Sequence, residues 1–149
     1  RRYTMTIKEF ALEKNVSDST VRAWCDKNLI RGAKLNEKTG QYDIPSSAKA
    51  PYTQNRAYKG DKIYISIVRA IMNEFDVCAQ IYKIHEDEFE GYIDELLEAG
   101  IIAKYIAKDT GIEYYRQTLK SSEFSKLPVN KIKAFLLEAK KIISVNLSK

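Results

Sequence analysis

A chain of 149 residues, 44% hydrophobic and 30% charged, is too apolar to be a disordered segment and has room for one domain or two very small ones. No apolar run approaches the roughly 18 residues of a membrane span and no continuous apolar stretch opens the chain as a secretory leader does, so a cytoplasmic protein without a membrane partner is expected. The net charge of +5 is unevenly placed: residues 1–60 hold 12 Lys/Arg against 6 Asp/Glu, and residues 61–149 hold 13 against 14, which directs any phosphate-bearing partner to the N-terminal part.

The first element is marked by Thr6-Ile7-Lys8-Glu9, a capping box in which the Thr6 hydroxyl and the Glu9 carboxylate each take an orphan backbone N–H. Ile7, Phe10 and Ala11 then recur at helical spacing, so a helix of about two turns is expected before an Asn15-Val16 turn. Ser17 caps a second helix, in which Val21, Trp24 and Cys25 share the face that packs on the first. Ser19, Arg22, Ala23 and Asp26 face outward. Two short helices joined by a tight turn, with small polar residues and one arginine early on the exposed face of the second, suit a recognition helix entering the major groove. On this reading Ser17, Ser19, Thr20 and Arg22 contact DNA, Ser19, Thr20 and Arg22 as readers of base edges.

Asn28 can adopt the left-handed conformation that ends a helix, and Leu29-Ile30 return to the core. Residues 33–36 and 41–44, separated by Glu37-Lys38-Thr39-Gly40 and closed by Pro45, read as a β-hairpin. Lys38 at its tip and Arg31 and Lys34 at its base make it a wing able to grip a phosphate or the adjacent minor groove.

Thr6-Ile7-Lys8-Glu9-Phe10-Ala11, Val16-Ser17, Thr20-Val21-Arg22-Ala23-Trp24-Cys25, Leu29-Ile30 and Ile44-Pro45 stand in the order and approximate spacing of the MerR and excisionase families. About a third of the chain thus resembles their winged helix-turn-helix. The resemblance implies double-stranded DNA as partner and fits a transcriptional regulator or an excisionase-like accessory factor of a mobile genetic element. Three positions depart from the pattern: Asn28 stands where glycine is usual, and Asp18 and Asp26 place carboxylates near the reading face. Asp18 at a helix N-terminus and Asp26 are read as structural, and the apolar phase of Trp24 assigns it to the core rather than to a base.

Residues 51–61, with Pro51 in the stretch 46–59 and the basic Lys49, Arg56 and Lys59 around it, read as a linker. Either it follows a DNA backbone or it is a mobile join. Beyond it, Ile63, Ile67, Val68, Ile71, Met72, Phe75 and Cys78 describe a helix from Lys62 to about Ala79. A second helix over 86–99 buries Phe89, Ile93, Leu96 and Leu97 and stops at Gly100, with His85 at its N-cap. Residues 101–106 and 112–119 around Lys108-Asp109-Thr110-Gly111 form a second hairpin. A helix over 130–147 carries Ile132, Leu136, Ala139, Ile143 and Leu147 on one face, to pair with its copy in a homodimer or to pack back on its own domain.

Helix, helix, hairpin and final helix resemble a second winged helix over 88–127. Its helix in the recognition position carries Glu86, Asp87, Glu88, Glu90, Asp94, Glu95 and Glu98, which phosphate repels. This domain is therefore expected to assemble subunits or dock a protein partner, although Lys104, Lys108, Arg116 and Lys120 of its wing can reach a DNA backbone.

Cys25 and Cys78 lack C-x-x-C spacing, the single histidine sits at a helix start, and no phosphate-loop or nucleophile motif occurs. Neither an enzyme nor a cofactor or metal is expected. The expected fold is mainly α with small β-hairpins (α+β): two tandem winged helix-turn-helix modules, residues 1–50 and 62–149, the second ending in a C-terminal helix. The function expected is sequence-specific binding of double-stranded DNA. The alternatives are an accessory DNA-binding protein of conjugative plasmid transfer, which a tandem winged-helix plan resembles, and a protein-interaction adaptor.

Overall fold

The computed structural model describes residues 4–53 and 60–147, with side chains through residue 143. Arg56 and Lys59, two of the basic residues assigned to the linker, lie outside the described residues, as does the side chain of Leu147. The fold is α+β, with seven α-helices and two small antiparallel sheets among the described residues. It divides into two compact units that are not contiguous in sequence: residues 1–51 with 106–114, and residues 52–105 with 115–149. The second hairpin, read as part of the second domain, thus gives its tip to the first unit.

In the first unit, strand β1 (Thr4–Met5) leads into α1 (Ile7–Lys14) and α2 (Asp18–Asp26), followed by β2 (Lys34–Asn36) and β3 (Gln41–Pro45). The capping box forms: the Glu9 N–H donates to Thr6 Oγ1 at 3.1 Å, and the Thr6 N–H to Glu9 Oε1 at 3.0 Å. Asn15, at φ 59°, ends α1 in the left-handed region, which asparagine tolerates better than most residues. Ser17 caps α2 through the Thr20 N–H. Phe10, Ala11, Val21, Cys25, Ile30, Ile44 and Ala48 form one buried cluster, with Trp24 packed at its edge. The expected two-stranded wing is a three-stranded sheet of order β1-β3-β2, since Met5 pairs with Ile44 and Thr4 with Pro45. Two residues are too few for an alternating pattern to announce a strand.

Residues 106–114 complete this unit. Tyr114 is buried, with the Arg31 guanidinium 4.5 Å and the Lys49 ammonium 5.7 Å from its ring centroid. The Ser47 and Ser46 hydroxyls donate to the Asp109 carboxylate, and the Ser47 bond chiefly holds the Asp109 pKa down. Gly32 adopts φ +86°, and a Cβ there would stand 2.8 Å from Pro45 Cγ and 3.0 Å from Ile112 Cδ1. Gly32→Ala therefore combines backbone strain with overpacking, and an expected loss of about 2 kcal/mol or more is measurable by denaturant unfolding.

In the second unit, α3 (Lys62–Met72) is followed by α4 (Ala79–Tyr82), α5 (Glu86–Glu98), the hairpin β4 (Ile102–Ile106) and β5 (Glu113–Gln117), α6 (Ser121–Ser125) and α7 (Ile132–Leu147). A 3₁₀ turn, Val129–Lys131, precedes α7. The helix expected to run to Ala79 stops at Met72. Asn73 caps it, Glu74 turns left-handed at φ 63°, and the Phe75 N–H closes onto the Ala70 carbonyl at 2.9 Å. Phe75 and Val77 rejoin the same core after this reversal, whereas Cys78, the last residue of the expected spacing, is half-buried.

That core holds Ile67, Val68, Leu96, Ile101, Phe124, Ile132 and Leu136. Tyr52, at the start of the expected linker, belongs to it as well: it stacks on Tyr82 and donates its N–H to the Asp76 carbonyl. The short α6 went unforeseen, because Ser121-Ser122-Glu123-Phe124-Ser125 shows no helical stripe. It is fixed instead by Phe124 in the core and by Ser121, whose hydroxyl donates to the Ile101 carbonyl at 2.6 Å. Ile132, Leu136 and Ala139 of α7 are buried in their own unit, while Leu137 and Ile142 remain exposed. His85 caps α5 by accepting the Asp87 N–H, and Lys140 of α7 bridges Glu95 at 2.8 Å and Glu98 at 3.6 Å. No helix among the described residues is long and apolar enough to cross a membrane.

Candidate nucleic-acid interface

The first unit carries an open cleft of about 450 Å³ lined by Thr6, Ile7, Lys8, Asp18, Ser19, Arg22 and Gln41. Three elements position it. Packing of Phe10 against Val21 and Cys25 in one cluster holds α1 on α2, so the first turns of both helices open on the same side. Ile44 in that cluster holds β3, whose first residue, Gln41, closes the cleft. A helical side chain lies over the turn before its own Cα, which brings Arg22 toward Asp18 and Ser19.

Of the seven residues expected to contact DNA, Ser19 and Arg22 meet in this cleft, and both are exposed. Ser17 and Thr20 are turned to each other: Ser17 Oγ lies 2.8 Å from Thr20 Oγ1, accepts the Thr20 N–H at 3.2 Å and lies 3.1 Å from Ser19 Oγ. Their hydroxyls thus fix the start of α2. Arg31 is half-buried over the Tyr114 ring. Lys34 is exposed and lines a second depression of about 490 Å³ with Thr4, Gly32, Asp43, Pro45, Asp109, Thr110 and Ile112. Lys38 is exposed at the hairpin tip, its N–H held by Asn36 Oδ1 at 3.0 Å.

Sequence reading missed Thr6, Lys8 and Gln41 as members of the cleft. Lys8 follows the capping threonine on the outward side of α1, which was a usable signal. Gln41 had none: it pairs with Asn36 within the hairpin, and the packing of Ile44 of that hairpin on α1 and α2 sets where this end lies.

Asp26 is engaged within the unit: the Tyr42 hydroxyl donates to its carboxylate at 2.8 Å, tying the end of α2 to the hairpin. That hydrogen bond is the main reason the Tyr42 phenol is pushed up from its ordinary value. Burial, then the neighbouring Asp26 charge, push the Cys25 thiol from 9.0 to about 11, with Arg22 opposing. The folded state therefore holds this proton more tightly than the unfolded chain. The resulting stability is fully present below pH 9 and is lost as pH rises through about 11. Thermal unfolding across that window is expected to show a decline that is smaller in Cys25→Ala.

The geometry presents hydrogen-bond donors of two cations and an amide, with acceptors of a carboxylate and hydroxyls, on a surface open to a large partner. Among the described residues, no group of three or more His, Cys, Asp or Glu side chains is placed to hold a metal ion. Comparison with protein-family models, curated proteins and solved structures finds no match for this chain.

Proposed function

We propose that this chain is a cytoplasmic, sequence-specific double-stranded DNA-binding protein, acting as a transcriptional regulator or an excisionase-like accessory factor of a mobile element and not as an enzyme. In this reading it is built from tandem winged helix-turn-helix modules. The first places α2 in the major groove and the hairpin β2–β3 on the neighbouring backbone. The observation that carries the reading is the cleft where the first turns of α1 and α2 meet Gln41, with Lys8, Ser19 and Arg22 on its walls. The N-terminal charge excess of the sequence supports it independently.

The second unit is assigned a different partner. Glu86, Asp87, Glu88, Glu90 and Asp94 of α5 are exposed, and an acidic face of this kind suits a protein and not a phosphate backbone. Among the described residues, Lys140 offsets Glu95 and Glu98.

A salt series tests the DNA reading. The logarithm of the affinity for a duplex is expected to fall linearly with the logarithm of salt concentration, by about 0.9 per phosphate neutralised. A flat response would favour the protein-adaptor reading instead.

A further inference from the structure

Asp18 and Arg22 stand four residues apart on α2, where opposite charges ordinarily meet. Both line the cleft, yet neither forms an ion pair among the described residues. The two charges face the same open space beside Ser19 and Gln41. Their occupant must therefore offer acceptors to a guanidinium and a donor to a carboxylate.

A phosphate does not meet that requirement, since it presents only acceptors and carries the same sign as Asp18. The major-groove edge of a base pair does. Guanine shows two adjacent acceptors, O6 and N7, which fit the guanidinium fork, and its paired cytosine shows the N4 amino donor that a carboxylate accepts. An A·T pair separates its two acceptors with a donor and adds a methyl group, which suits an amide better than this pair of charges.

We infer that the cleft reads a G·C base pair, Arg22 donating to the guanine edge and Asp18 accepting from the cytosine amino group. This rests on the DNA-binding reading above and gives Asp18 a role in specificity in addition to its place at a helix start.

The test is selection of duplexes from a random pool by the full chain, followed by sequencing, for the wild type, Asp18→Asn and Arg22→Ala. One position dominated by a G·C pair is expected, with that preference falling roughly ten-fold or more in each variant while other positions keep theirs. Base analogues repeat the test on the wild-type protein, where no variant can misfold. Replacing the guanine by 7-deazaguanine removes N7, and replacing the cytosine by 2-pyrimidinone removes the amino group. Each is expected to weaken wild-type binding, and to have little further effect on the variant lacking the matching side chain.

A motif without a G·C preference, or one unchanged in both variants, overturns this inference and leaves the DNA reading standing. Equal losses on selected and random duplexes in the Arg22 variant make Arg22 a phosphate contact and also overturn it. Absence of any motif and of salt-sensitive binding removes both.

Discussion

Phe10→Ala is expected to destabilise the first unit by roughly 3–5 kcal/mol, the range for emptying a packed aromatic site. Phe10 is 1% exposed and lies in the cluster that joins α1, α2 and β3, so the cavity would open where those three elements meet. A unit this small has a stability at the low end of the range for domains, and the loss is enough to unfold much of its population. The second unit has its own core around Leu96 and Phe124. Hydrogen exchange read by mass spectrometry should therefore show protection lost over α1 and α2 and retained over α3 and α5, with duplex binding lost in parallel. Loss of protection in both regions would mean that the two units fold as one. Unchanged duplex binding by an unfolded first unit would remove the candidate interface.

Arg22→Ala and Lys8→Ala are expected to weaken binding in different ways, although both side chains line one cleft. A base contact by Arg22 contributes about 1–3 kcal/mol on the selected duplex, with little loss on random DNA. A phosphate contact by Lys8 weakens both duplexes alike and lowers the salt slope by about 0.9. Titrations of the two variants on selected and random duplexes at three salt concentrations separate these outcomes. Equal behaviour of the two variants would refute the division of roles.

Much of the first unit was legible because its signals are local. A capping box, a serine N-cap, an asparagine that tolerates positive φ and a three-residue apolar phase in α2 each act within one or two turns, and each is found where the residues placed it. Strand β1 was not legible, since its existence rests on pairing with residues about 40 positions away. The end of α3 was hidden for another reason. Its apolar phase runs past Met72 because Phe75 packs on the core from a reversed chain, so at that position periodicity reported burial and not helix.

The candidate site divides in the same way. Ser19 and Arg22 were readable from one helix face, whereas the setting of Arg31 depends on Tyr114, more than 80 residues further along. Residue type predicts a charge; it does not predict the aromatic ring that a distant segment brings beneath it. Gln41 was missed because the packing of its hairpin on α1 and α2, through Ile44, and not its own neighbours, brings it to the cleft.

The return of residues 106–114 to the first unit has a consequence for synthesis. A ribosome releasing the chain from its N-terminus delivers α1, α2 and the hairpin β2–β3 long before Asp109, Ile112 and Tyr114 emerge. Until then Arg31 and Lys49 lack the Tyr114 ring, and Ser46 and Ser47 lack the Asp109 carboxylate. The nascent first unit must wait while most of the second is made, so a fragment cut after residue 60 corresponds to that waiting state and not to the finished module.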